Sequence, residues 1–223
     1  MAPGSVVRYV TDEEAPVFPL KMDKLMELSK ELIETRFGTT KPELLADEFE
    51  FRFPIVELNK ERFVEAFSSF KLDDAFPDMI NDYYGFRMDP YIPGRIWFDT
   101  QGKGTHTGRF GGPFSYIAPT QKMVILPPQV LSFTFNEAGR LTYFTGGYVV
   151  DRRLGNTGGL GGVFGIMHAI GKTLPFPEAR PFSLSYRYRF LLFLETAGRK
   201  IGAILSSTIM PLISGAGASS KKA

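Results

Sequence analysis

The sequence predicts an α+β protein: a curved antiparallel sheet wrapped around N-terminal helices, with a C-terminal extension. Three observations predict it. Apolar residues near the amino terminus recur at helical spacing, while stretches between residues 95 and 150 are rich in β-branched and aromatic residues. The two kinds of segment also follow one another instead of alternating, which is the α+β order and not a β-α-β one. A sheet in that position buries its apolar face by curling around the helices, and such a cone has one open mouth suited to a ligand.

Residues 21–37, KMDKLMELSKELIETRF, set Met22, Leu25, Met26, Leu32, Ile33 and Phe37 on one helical face, and Gly38 is the stop. KPELLADEF, with Pro42 in its first turn, predicts a short second helix leading into a strand, EFEFRFP, that Pro54 ends. Asn59 caps a helix expected from Lys60, and AFPD breaks it. GRIWFDTQGKG, THTGRFGG, KMVILPPQVLSFTF and RLTYFTGGYVV predict strands, and FNEAGRL between strands predicts a hairpin turn with Gly139 at positive φ.

After Asp151 the texture changes. Gly159, Gly161 and Gly165 give G-x-G-x-x-x-G, one residue too long for a dinucleotide loop, and no second β-α unit comes after it. The glycines predict a tight turn into a short helix instead. Prolines 175, 177 and 181 precede SLSYRYRF, expected as an added strand. The apolar run 190–213 carries Glu195, Arg199 and Lys200, so it reads as a helix that docks on the core or lies on a membrane surface, not as a span. The tail, SGAGASSKKA, is of low complexity. The expected division is an N-terminal arm 1–20, a cone domain 21–155 and an extension 156–223.

Composition narrows the function. Hydrophobic content of 43% and charged content of 22% describe an ordinary globular chain. With 26 basic and 24 acidic residues and no basic stripe, nucleic acid is not an expected partner. The absence of cysteine excludes disulfides, thiolate nucleophiles and thiolate metal sites. Two histidines without H-x-x-x-H or H-E-x-x-H spacing speak against a metal, and neither a G-x-S-x-G elbow nor a phosphate-cradling loop is present. The first residues read neither as a secretory signal nor as a transit peptide; the protein is expected where it is made, or in an organelle lumen after removal of a targeting peptide.

What remains is cofactor-free acid–base chemistry. It needs a carboxylate partly removed from water, a hydroxyl or imidazole beside it, and an apolar cavity. Asp151, closing the aromatic strand LTYFTGGYVV, is the candidate acid/base if its surroundings desolvate it; the alternatives are a salt bridge to Arg152 or Arg153, or a cap. His106, inside the glycine-crowded GKGTHTGRFGGPF, is the second candidate provided it points inward. Tyr83, Tyr84, Trp97, Tyr143 and Tyr148 are candidate cavity walls and hydroxyl donors, or core.

FPD at 76–78, RIWFDTQGKGTHTGRFGG, and PTQKMVILPPQVLSFTFNEAGRLTYFTGGYVVDRRLG stand in an order that resembles the SnoaL-like polyketide cyclase group. That group belongs to the nuclear transport factor 2-like superfamily, shared with ketosteroid isomerase and scytalone dehydratase. The resemblance runs from about residue 20 to 160. It implies a cystatin-like α+β cone with a deep pocket, assembly as a homodimer or larger oligomer, and cofactor-independent acid–base chemistry of cyclase, isomerase or dehydratase (lyase) type on a small apolar carbonyl compound (polyketide, steroid-like or terpenoid), which in the group's cyclases is an intramolecular aldol closure without metal or cofactor. Asp151 stands where that group has its late-strand acid/base, and His106 matches the histidine of G-T-H-T-G. The group's closing L-L-x-Q-L-G helix is replaced here by LGNTGGLGG, and the residues beyond it lie outside the resemblance. Because the cone recurs with unrelated roles, a non-catalytic ligand-binding or scaffold protein, with the extension as partner or membrane-surface contact, is the competing expectation.

Overall fold

A computed structural model describes residues 16–111 and 116–216, with side chains up to residue 201. The expected arm, the end of the glycine-rich hairpin and the last residues of the tail fall partly outside these. The chain divides into two compact units, Met1–Pro181 and Phe182–Ala223.

The first unit opens with α1 (Met22–Glu34), which buries Leu25, Ser29 and Leu32. The Ser29 hydroxyl satisfies itself on the Leu25 carbonyl at 2.7 Å. After α1, three successive residues, Arg36, Phe37 and Gly38, take φ of 53°, 60° and 80°. This left-handed turn reverses the chain and delivers the Phe37 ring into the core, 5.1 Å from Phe144.

The expected second helix is a single 3-10 turn, Pro42–Leu44, and the strand starts earlier than expected: β1 runs Leu45–Phe53. Its buried Leu45, Ala46, Phe49 and Phe51 are held against the core, so the sheet claims backbone that the local pattern leaves open. β2 (Val56–Asn59) returns antiparallel to β1 and runs into α2 (Lys60–Phe70), where the Asn59 side chain accepts from the Arg62 N–H at 3.1 Å, the expected cap. α3 (Leu72–Ala75) precedes β3 (Ile80–Met88), a strand the sequence pattern does not reveal. It is an edge strand with mostly exposed or half-exposed side chains, so it carries little apolar alternation to read.

β4 (Arg95–Thr105), β5 (Met123–Ile125), β6 (Gln129–Phe135) and β7 (Leu141–Val149) complete the sheet. Pro127 and Pro128 split β5 from β6. Gly139 turns the β6–β7 hairpin at φ 77°, as expected. The order is β2-β1-β7-β6-β4-β3, with β5 on β4. Every pairing is antiparallel except β1 with β7, which is parallel. The sheet is therefore curled and antiparallel as expected, save that β1 pairs parallel with β7 and makes it mixed.

Register sorts the strands into two faces. Ile96, Phe98, Phe133, Phe144 and Phe51 face the helices and form the main core with Leu25, Leu32 and Phe63. A second cluster joins Ala75, Phe76, Phe110, Val124 and Leu126 to Ile166 and Ile170 of α4 (Gly162–Ala169) and its C-terminal flank. Residues from 156 to 181, expected as the start of the extension, thus pack within the first unit.

THTGRFGG is not a strand. Beyond Thr105 the chain peels off the sheet: the His106 N–H still donates to the Lys122 carbonyl and the His106 carbonyl accepts from the Gln121 N–H, each at 3.0 Å, and Phe110 bridges Ile117. The N–H groups of Thr107 and Gly108 donate to the Ala75 carbonyl at 3.2 and 3.0 Å. A Cβ on Gly108 would overlap the Asp74 carbonyl oxygen, and one on Gly111 would come within 2.6 Å of the Ser69 carbonyl oxygen. The glycines are there for backbone-on-backbone approach.

The second unit is α5 (Tyr186–Ala216) with a short lead. SLSYRYRF is its beginning, not a strand: the Ser185 hydroxyl accepts from the Tyr188 N–H at 3.2 Å, capping the helix.

The seam is testable. Gly108→Ala forces the loop off α3 and is expected to destabilise the first unit by about 1–3 kcal/mol, read as a lower midpoint in urea unfolding.

Candidate functional site

His106 is fully buried. The Thr120 N–H donates to its Nδ1 at 3.2 Å, and the Thr120 hydroxyl lies 3.0 Å from the same atom. An Nδ1 that accepts a backbone N–H carries no proton, so the neutral ring holds its hydrogen on Nε2. That Nε2 is the one buried side-chain nitrogen or oxygen without a hydrogen-bond partner among the described residues. It lies in the second cluster, with Phe76 at 5.2 Å and Phe110 at 6.2 Å between ring centroids. Burial lowers the imidazole pKa from its ordinary value of 6.5. His106 does point inward, but into packed aromatic surroundings.

Asp151 comes directly after β7 and its turn residue, and is 37% exposed along its side chain. Its Oδ1 accepts from the Arg153 N–H at 2.9 Å and from Arg153 Nε at 3.5 Å. The Arg153 amide foremost, helped by the guanidinium charge, holds the carboxyl below the usual carboxylate range. The expectation of a desolvated acid is corrected here: an anion two residues from its own arginine is a turn cap, one of the alternatives the sequence left open. No hydrogen bond or ion pair joins it to His106 among the described residues.

The five expected cavity-wall residues separate, and Tyr84, on edge strand β3 and paired with Asp99, is exposed. Tyr83 faces the main core beside Phe37 and Phe98, and burial pushes its phenol up to about 12. Trp97, Tyr143 and Tyr148 are on the opposite face of the sheet, because they pair in register with Ser132, Thr134 and Val130 while Ile96, Phe133 and Phe144 point inward. They do not wall the cone. Alternation tells the two faces apart without telling which one is inside.

The outer face holds a site that the sequence expectations did not include. Asp89, buried, accepts from the Tyr91 and Ile92 N–H groups at 2.8 and 3.0 Å through Oδ1 and from the Trp97 indole at 2.6 Å through Oδ2. Burial alone would raise its pKa; the indole, the two amides and Arg95 outweigh that and hold it low. The Arg95 guanidinium stands 5.6 Å from the Trp97 ring and 5.3 Å from Tyr143, and its Nε donates to the Thr134 hydroxyl at 2.9 Å. The signal in the sequence is DPYIPGR, an aspartate starting a proline-bounded turn.

A half-open recess of about 380 Å³ beside α3 is lined by Ser69, Lys71, Asp74, Arg109, Gly111 and Tyr116, with the Arg109 guanidinium 4.8 Å over the Tyr116 ring. Among the described residues no cluster of His, Asp and Glu could hold a metal ion, and no helix is long and apolar enough to cross a membrane.

The described residues form an α+β fold: N-terminal helices against a curled mixed sheet, with a further helix late in the sequence. In structure the chain matches SnoaL-like polyketide cyclases and nuclear transport factor 2-like proteins at low sequence identity. A candidate hydroxylase from Streptomyces galilaeus is 16% identical, covering 82% of this chain and 96% of its own, at TM-score 0.48. A candidate SnoaL-like polyketide cyclase from Jannaschia sp. CCS1, also 16% identical, covers 69% of this chain and 94% of its own, at TM-score 0.46. A candidate polyketide cyclase from Streptomyces antibioticus is 14% identical over 55% of this chain and 89% of its own, at TM-score 0.41. No family model and no curated protein matches the sequence.

Two titrations test these environments. Asp89→Asn turns one acceptor into a donor facing another donor, so it should cost about 2–3 kcal/mol at neutral pH. Since the Asp89 carboxylate is favoured in the fold, its contribution is present above the ordinary 3.8 and lost as pH falls through its lower folded value. Acid unfolding of the variant should therefore lack that limb. His106 is favoured neutral: its contribution is whole above 6.5 and is lost as pH falls from there toward the lower folded value. His106→Phe should flatten the stability profile just below pH 6.5, measured by urea midpoints across pH.

Proposed function

We propose that this chain is a non-catalytic binding protein that uses the cone as a folded scaffold and acts through its surfaces. The observation that supports the reading is the contact of phenylalanine rings within the cone: Phe37, Phe51 and Phe133 stand 5.0–5.1 Å from Phe144, Phe98 stands 4.8 Å from Phe133, and Phe63 and Phe67 are 4.2 Å apart. Rings at those distances are in contact. Acid–base turnover of a small apolar carbonyl compound, the activity the resemblance implied, needs space for a flat substrate beside a proton carrier that titrates near neutrality. The Tyr83 phenol, at about 12, is far from that range, and the Asp151 carboxylate is tied to Arg153 at the surface.

The test is a thermal-shift and calorimetric screen of the full chain against flat apolar carbonyl compounds of polyketide, steroid and terpenoid type. The expected outcome is an unmoved melting temperature. A ligand held inside at 100 times its Kd would add about 2.7 kcal/mol. Such a saturable rise, lost in Tyr83→Phe, overturns the reading in favour of a pocket, and turnover abolished by Asp151→Asn would restore the enzyme.

A further inference from the structure

We propose that α5 lies along an anionic lipid surface. This rests on the binding-protein reading and names the surface bound. Tyr186, Phe190, Phe193, Leu194, Ala197 and Ile201 recur at i, i+4, i+7, i+8, i+11 and i+15, a stripe along more than four helical turns, while exposed Tyr188, Leu191 and Leu192 add apolar surface on the other side, beside Glu195 and Arg199. The stripe's five large side chains are between 48% and 88% exposed. A stripe of that kind on a soluble helix is normally spent on packing.

Charge selects the occupant. Between Tyr186 and Ile201 there are four basic side chains against one acidic. By helical geometry Arg187 borders one edge of the stripe, and Arg189 and Lys200 border the other. The acidic residue, Glu195, is on the far side, bonded to Arg199 at 3.0 Å, next to Thr196, whose hydroxyl back-bonds to the Leu192 carbonyl at 2.8 Å. An apolar stripe edged by cations and headed by aromatic residues fits the boundary between headgroups and acyl chains: the rings enter, and the arginines and lysine reach outward to phosphates. A second copy of the same stripe would bring cationic edges together, which disfavours it. The charged residues within the helix also favour lying flat over entering end-on.

The experiment is co-sedimentation of the full chain with phosphatidylcholine vesicles, with and without phosphatidylglycerol. Three net charges, at roughly fivefold each, should favour the anionic vesicles on the order of a hundredfold, and added salt should erase that preference. Phe190→Ser with Phe193→Ser should abolish binding while the charge is kept; Arg187→Gln with Arg189→Gln should remove the preference for anionic vesicles while the apolar stripe is kept. Circular dichroism and an unchanged melting temperature check that both variants fold. Equal binding to neutral vesicles, or none to either, overturns the proposal. Light scattering that shows a dimer dissolved by the phenylalanine variant, without vesicle binding, assigns the stripe to a second copy; that sinks the lipid proposal and leaves the binding-protein reading standing. A positive ligand screen does the reverse.

Discussion

Phe144 sits on β7, the strand that has β1 parallel on one side and β6 antiparallel on the other. Its ring meets Phe37 from the turn after α1, Phe51 from β1, Phe133 from β6 and, at 6.0 Å, Phe63 from α2. Four separate segments therefore close on one ring. Each such pair adds about 0.5–1.5 kcal/mol beyond area burial, and the contacts are mutually dependent, because the left-handed turn that places Phe37 has no purpose unless Phe144 is there to meet it. The curl of the sheet and the position of α1 depend on this convergence. So does the character of the interior, which is lined by rings in contact with one another.

Legible in the sequence was the part that short-range chemistry decides. The face of α1, the Asn59 cap and the Gly139 turn each depend on residues within a few positions of one another. The parallel pairing of β1 with β7 depends on residues more than ninety positions apart, and edge strand β3 has too little buried surface to show a pattern. The site residues failed for a sharper reason. Trp97 and Phe98 are adjacent aromatics on one strand, and strand periodicity requires that one be inside and the other out, but the choice is made by Tyr83, Phe86 and Phe133 elsewhere in the chain. Asp151 is captured by its own neighbour, a local effect the sequence did offer as an alternative. His106 is placed inward by Thr120, fourteen residues on, and by the glycine seam that draws the loop down onto Ala75.

The two faces of the sheet hold themselves together by different physics. Inside, the main core is ring against ring, and the phenol it includes stays protonated across the whole physiological range. Outside, where water competes, the same strands use charge and directed hydrogen bonds: Arg95 spans Trp97 and Tyr143, and Asp89 anchors the indole. Among the groups with shifted titration, Asp89 is on the outer face and His106 beside the second cluster. On the binding role proposed above, the ring-packed interior serves as support and the exposed faces are the parts that respond to a partner.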